Sequence, residues 1–326
     1  MAKFIDIERE KQTELIKNSD LFDNARGGGI YKGKEREFVL KDANRNLYKN
    51  IIEDSIKYFK ENNISWWGGS SPTGHVLSSQ IACLNHLFLI SNDKDSVLNI
   101  LNNVRNEFID VLPIPCDKPP YRYISFEVVS SKDRLNEKQS TRGSQCTSID
   151  AFIYAKHKDG KLWLIPIEWK YTENYENNDK SKEDRAGVEN KGLNGKGNER
   201  LNRYSNLIDN SKQLKRLDDY MTSIYFQEPF YQLMRQTLWV EQVIAHKEDE
   251  VIKADDYLHL HVIPRKNIDL LGKIYKVSGN NMENTWRGKL EDNRKYIIID
   301  PKDFLSQLEG IEKYSELISY LNQRYW

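Results

Sequence analysis

A chain of 326 residues is longer than one average domain and short for two, and its 38% apolar and 30% charged residues suit a sizeable core beneath a well-solvated surface. Lysine plus arginine equals aspartate plus glutamate at 49 each, so there is no global basic field of the kind that coats nucleic acid without specificity. No apolar run reaches the ~20 residues of a membrane span, the charged amino terminus MAKFIDIEREKQTELIK has no signal core, and Cys83, Cys116 and Cys146 form no C-x-x-C pair, which together predict a cytoplasmic protein with reduced thiols.

In chain order, residues 26–29 (RGGG), with Lys32 and Lys34 after them, read either as a flexible loop or as a loop that follows a phosphate backbone. Residues 41–62 place Leu47, Ile51, Ile52, Ile56 and Phe59 at helical spacing. A second helix should follow Ser78, an N-cap residue type, and a third should span about 93–111 and stop before Pro113 and Pro115. Residues 69–74 have the glycine spacing of a phosphate-binding loop, but His75 and Val76 follow where lysine and a hydroxyl residue are needed, so a turn is expected.

Beyond residue 115 the pattern changes to strands at 121–129, 147–156 and 161–171, rich in aromatic and β-branched residues. From Thr172 to about Arg203 the chain is polar and dotted with glycine, which predicts a long loop, either an inert insertion or a flap ordered by substrate. A helix at 229–247, strands at 257–264 and 295–299 and a terminal helix complete the expected elements. His259 and His261 share a strand face, with no third ligand at zinc spacing, so a sheet-face role is expected over a metal site.

The informative segment is the pair of strands joined by 157–160. Lys158-Asp159-Gly160 suits a three-residue hairpin loop with glycine in the left-handed region, which pairs His157 with Lys161. Counting outward, Tyr154 faces Leu164, Phe152 faces Pro166, Asp150 faces Glu168, and Lys170 lies opposite Ser148. Alternation then puts Asp150, Glu168 and Lys170 on one face, and Ile149, Ala151, Ile153, Ala155, Trp163, Ile165, Ile167 and Trp169 on the other. Two carboxylates side by side are unfavourable unless a cation compensates, and oxygen donors beside a lysine suit a hard divalent ion. A salt-bridged strand end of no catalytic consequence would present the same spacing.

An aspartate on one strand and Glu-x-Lys on the next resembles the signature of the PD-(D/E)XK nuclease superfamily, with Asp150, Glu168 and Lys170 at its three positions and Ile149 where the proline of the name would stand. Residues 142–150 (RGSQCTSID), 167–173 (IEWKYTE), Phe126-Glu127 and 230–236 (FYQLMRQ) are similar to a group of inferred restriction endonucleases within that superfamily. The resemblance spans about residues 75–265. It implies an α/β fold with a mixed central sheet flanked by helices, a single nuclease domain made of a helical amino-terminal elaboration (1–115), a catalytic core (116–270) and a carboxy-terminal strand and helix extension (271–326).

The same resemblance implies hydrolysis of phosphodiester bonds in double-stranded DNA. Asp150, Glu168 and the Trp169 carbonyl would hold Mg²⁺, with Mn²⁺ as a substitute, and Glu127 is a candidate further carboxylate. The ion would acidify a water and offset charge on the phosphate, while Lys170 would orient or deprotonate that water. Arg142 and Lys132 flank the hairpin as candidate phosphate contacts. Gln232, Arg235 and Gln236, at i, i+3 and i+4, would support Lys170, touch a phosphate, or form a wet face. Repair and mobile-element nucleases would carry the same site, whereas a DNA-binding scaffold that no longer cuts would have no reason to keep two unfavourable neighbouring carboxylates. A homodimer would cut both strands symmetrically, but no segment announces an interface.

Overall fold

The computed structural model describes residues 2–67, 69–138, 142, 146–175, 178–183 and 195–326. Residues 176–177 and 184–194, within the stretch expected to form a long loop, lie outside the described residues, as do 143–145 of the segment preceding Asp150.

The amino-terminal third is more varied than its periodicity suggests. Helix α1 (Phe4–Asn18) escapes notice because two of the three residues it buries are Glu8 and Gln12. Tyr171 donates its hydroxyl to Glu8 at 2.7 Å, and Gln12 donates to the Arg324 carbonyl at 2.8 Å. The RGGG segment leads into a hairpin of β1 (Gly29–Tyr31) and β2 (Lys34–Arg36) and is packed rather than loose: a Cβ on Gly27 would lie 2.2 Å from the Glu37 carbonyl oxygen. Of residues 41–62 only α2 (Ile52–Glu61) is α-helical. The Asn46 amide donates to the Thr73 carbonyl and Tyr48 N–H donates to Asn85, so tertiary bonds hold that backbone in 3-10 turns instead.

Helix α3 (Ser79–Leu87) starts at the expected cap, with Ser78 Oγ accepting from Ile81 N–H. Helix α4 (Lys94–Val104) ends earlier than expected, because Asn102 bonds both backbone groups of Phe108 and turns the chain into β3 (Phe108–Leu112). Strands β4 (Ile124–Val128), β5 (Ile149–His157) and β6 (Leu162–Trp169) follow. The β5–β6 register is the one counted from the sequence, from Ala151 opposite Ile167 to Lys156 opposite Leu162. It is set by His157 N–H bonding the Lys161 carbonyl and by Gly160 at φ +87°.

A helix, α5 (Lys196–Asp209), stands where the loop was expected. Its buried face is sparse, chiefly Tyr204 and Ile208, and part of its anchorage is polar: the Tyr204 hydroxyl donates to buried Glu137 at 2.6 Å. Then come α6 (Phe230–Ala245), β7 (Asp256–Tyr257), β8 (His259–Val262), α7 (Ile268–Leu271), α8 (Met282–Arg287), β9 (Tyr296–Ile299), α9 (Pro301–Phe304) and α10 (Ser315–Arg324).

The fold is α/β. Among the described residues its central sheet has seven strands: β4 and β3 lie end to end antiparallel along one edge of β5, β6 pairs antiparallel with β5 on the other, and β7, β8 and β9 run parallel to β6. The sheet therefore draws strands from all three expected segments of the chain. Helices flank both faces. Ala151, Ile153, Ala155, Trp163, Ile165, Ile167 and Trp169 pack with α3, α4 and α10, whereas Phe152, Tyr154 and Leu164 pack with α5, α6 and α8. Ile149 departs from the expected face and joins the second core with its partner Val128. The cause is local: Glu127 sits at φ +51°, and that left-handed residue breaks the alternation between Phe126 and Val128. Among the described residues no helix is long and apolar enough to cross a membrane.

Candidate active site

The β5–β6 ladder stops at Ala151 and Ile167, and the Asp150 carboxylate takes over by accepting from Trp169 N–H at 2.8 Å. This fixes Asp150 beside the end of β6. Glu168 and Lys170, two residues apart, project to the side covered by α6. The Lys170 ammonium donates to Glu168 and, at 2.6 Å, to Gln232 Oε1. The Gln236 amide donates to the other Glu168 oxygen, and its carbonyl meets His259 Nε2 at 2.8 Å. Helical spacing on α6 thus lays Gln232 and Gln236 over the hairpin as a pair of clamps.

Glu127 completes a third side. It is buried, and its Oε1 accepts from the Gln80 amide at 2.7 Å. Asp150, Glu168, Glu127, Gln232, Arg235 and Gln236 all line one cavity of about 760 Å³. The sequence-predicted residues that it brings together are therefore those three carboxylates, with Lys170 bonded to Glu168 from beside them, and the polar patch of α6. Arg235 is held there by Glu137 at 3.6 Å and by the Tyr231 ring, 4.7 Å below its guanidinium.

Two residues expected to contact phosphate lie elsewhere. Arg142 is buried: it pairs with Asp117 at 2.8 Å and donates to the carbonyls of Glu127 and Phe126 and to the Tyr58 hydroxyl. Its guanidinium is taken up by these partners and holds the β4 backbone, away from the cavity of the three carboxylates. Lys132 is exposed, pairs with Asp249 at 3.4 Å, and does not line the cavity. His259 and His261 are both buried, the first on Gln236 and the second on the Tyr296 hydroxyl at 2.8 Å. Burial holds His259 neutral, its pKa pushed down to about 4, and burial with help from the charge on Lys170 pushes His261 well below the ordinary histidine value.

Electrostatics at the site follow from crowding. Burial, then the Glu168 charge, raise the Asp150 pKa well above the carboxylate range, while Lys170 and the Trp169 N–H oppose the rise. Burial raises Glu127 to about 7, with Glu168 adding to it and the Gln80 hydrogen bond and Arg142 working against it. Burial alone would lower the pKa of Lys170, yet Glu168, Tyr175, Glu173 and Asp150 together hold it well above the ordinary value, so Lys170 is a protonated donor.

The donor set suits a hard divalent ion. Asp150 and Glu168 offer carboxylate oxygens in a buried place where burial first, and then the Glu168 charge, disfavour the ionised form of Asp150, a pressure that a cation would relieve. Among the described residues no group of three or more His, Cys, Asp or Glu side chains is arranged to hold an ion together.

Gln80 and Tyr175 belong to this site and carry no signal in the sequence. Gln80 is the second residue of α3, and only the packing of α3 on the sheet brings it to Glu127. Tyr175 lies 5.4 Å from the Lys170 ammonium by its ring centre and accepts from Gln232 through its hydroxyl.

A family model described as REase-ARP, restriction endonuclease associating with ARP, matches residues 12–326. No curated protein and no solved structure matches the chain.

Proposed function

The chain belongs to the family of restriction endonucleases associating with ARP, and from that premise we propose that it is a Mg²⁺-dependent endodeoxyribonuclease of the PD-(D/E)XK type acting on double-stranded DNA. The observation that carries the reading is one set of bonds: Asp150 capping the Trp169 amide, and Glu168 gripped between Lys170 and Gln236, in a cavity also lined by Glu127. The family description also supplies an associate, ARP, which this reading extends to the present chain.

In this reading Asp150 and Glu168 would hold the ion, and Trp169 would offer a backbone oxygen. Bound there, Mg²⁺ would supply Lewis acidity toward a phosphate oxygen and a more acidic water. Lys170, protonated and aimed by Gln232, orients the attacking water and adds positive charge where the phosphate becomes more negative. Gln236 keeps Glu168 from rotating away, and His259 in turn fixes Gln236. Arg235, on the same helix face, meets the DNA backbone.

The test is incubation of the purified protein with plasmid and phage DNA in Mg²⁺, in Mn²⁺ and in EDTA, followed by mapping of the ends. Cleavage in either metal and none in EDTA is the expected result. Intact DNA in all three, with no saturable Mn²⁺ binding by calorimetry, would favour a scaffold that does not cut.

A further inference from the structure

The cavity has a second wall that the mechanism does not use. Tyr31, Phe38, Trp67 and His75 line it, in the same cavity as the residues of α6. Tyr31, Phe38 and Trp67 surround His75, with ring centres 4.6, 5.2 and 6.3 Å from it and interplanar angles of 60°, 76° and 78°. Lys32 lies over the Tyr31 ring at 5.4 Å and Arg9 over the Phe38 ring at 5.1 Å. Trp67 is 51% exposed although it lines the cavity. His75 Nδ1 is buried with no hydrogen-bond partner.

Backbone bonds hold this wall in place. Val76 N–H bonds the Phe38 carbonyl at 3.2 Å, Leu40 N–H bonds the Gly74 carbonyl at 2.9 Å, and Val39 bridges to His75. One side chain joins the wall to the carboxylates: Gln80 accepts from Trp67 N–H at 2.8 Å and donates to Glu127 at 2.7 Å. The aromatic rings are thus one amide away from the acidic cluster.

Size decides what can enter. A cavity of about 760 Å³ falls in the ~300–1,000 Å³ range of small-molecule pockets, which is room for a nucleotide. An exposed tryptophan ring beside further aromatic rings and two cations is the kind of surface on which bases of any sequence stack. We propose that the wall of Tyr31, Phe38, Trp67 and His75 receives one unpaired nucleobase next to the scissile phosphate, with Lys32 and Arg9 meeting the adjoining backbone. This deepens the nuclease reading and rests on it. The base can come from a single strand or be turned out of a duplex, and the chemistry of the wall is the same for both.

The experiment is fluorescence anisotropy in Ca²⁺ with three labelled DNAs of one sequence: a single strand, a duplex with one mismatched pair, and a fully paired duplex. The wild type should prefer an unpaired base, and the DNA bound more tightly of the first two identifies its source. Trp67→Ala should lose roughly tenfold on that DNA, Trp67→Phe should retain it, and the paired duplex should change by less than about twofold. If Trp67→Ala does not fold, Tyr31→Leu takes its place. Equal binding of the three DNAs by the wild type, or a preference that survives loss of the ring, overturns the proposal. A wild type that cuts DNA in Mg²⁺ without preferring an unpaired base refutes this inference alone. One that shows the Trp67-dependent preference but never cuts supports the wall and refutes the nuclease reading.

Discussion

Replacing Glu127 by glutamine should make the metal-free protein more stable above neutral pH. The carboxyl is buried, and its pKa is raised from an ordinary 4.5 to about 7, first by burial and then by the Glu168 charge. A carboxylate whose folded pKa lies above its unfolded one destabilises the fold once ionised. The cost is absent below the unfolded value, grows as pH rises from about 4.5 to about 7, and is constant above. At about 1.4 kcal/mol per pH unit of that interval, ionised Glu127 costs about 3 kcal/mol at pH 8.5 and less than about 1 kcal/mol at pH 5.

Glutamine is isosteric and can still accept from Gln80, so Glu127→Gln should recover most of that cost. With an unfolding entropy of about 2.1 cal/mol/K per residue over 326 residues, the gain corresponds to roughly 4 °C in Tm. The assay is urea unfolding in EDTA at pH 5 and pH 8.5, with both proteins side by side. Asp150 titrates in the same direction and Glu127 contributes to its shift, so the difference reports Glu127 together with the relief its removal gives Asp150. A gain of equal size at the two pH values, or a loss at pH 8.5, would refute the reasoning.

Arg142→Met should destabilise the protein by about 3–5 kcal/mol, because it strands the fully buried Asp117 carboxylate, and urea unfolding measures this; a loss of DNA affinity with unchanged stability would restore Arg142 as a phosphate contact. Gln236→Leu leaves a Glu168 oxygen and His259 Nε2 without their partner, which should cost about 1–3 kcal/mol in the same assay and slow cleavage; neutral stability would show that the clamp is incidental. Asp150→Ala removes an anionic ligand and should weaken Mn²⁺ binding in calorimetry, whereas Lys170→Ala removes only a competing positive charge and should leave binding equal or tighter. Weakened ion binding in Lys170→Ala alone would invert those two roles.

What was legible in the sequence is what depends on short-range periodicity. The β5–β6 hairpin could be registered from its loop because Gly160 is a residue type that occupies φ +87° readily, and alternation then placed Glu168 and Lys170 together. The α6 patch was legible for the same reason, since i, i+3 and i+4 fix a helix face. What was not legible depends on polar contacts between distant segments. Helix α1 buries Glu8 and Gln12 against Tyr171 and Arg324, and α5 leans on Glu137, so neither shows an apolar stripe. Arg142 looked like a surface cation, and partners distant in the chain, Asp117 25 residues earlier and the Tyr58 hydroxyl, explain why it is inside. Ile149 was misplaced by one positive φ on the neighbouring strand, at Glu127, a conformation that no residue pattern announces.

The central claim is that Lys170 acts on the reaction from beside a carboxylate-held ion. The most direct measurement is the rate at which supercoiled plasmid is nicked in Mg²⁺ by the wild type and by Lys170→Ala, with folding checked by circular dichroism and DNA binding by gel shift in Ca²⁺. The account predicts nicking by the wild type, and none by a Lys170→Ala protein that is folded and binds DNA as well as the wild type. Full nicking activity in Lys170→Ala would contradict it.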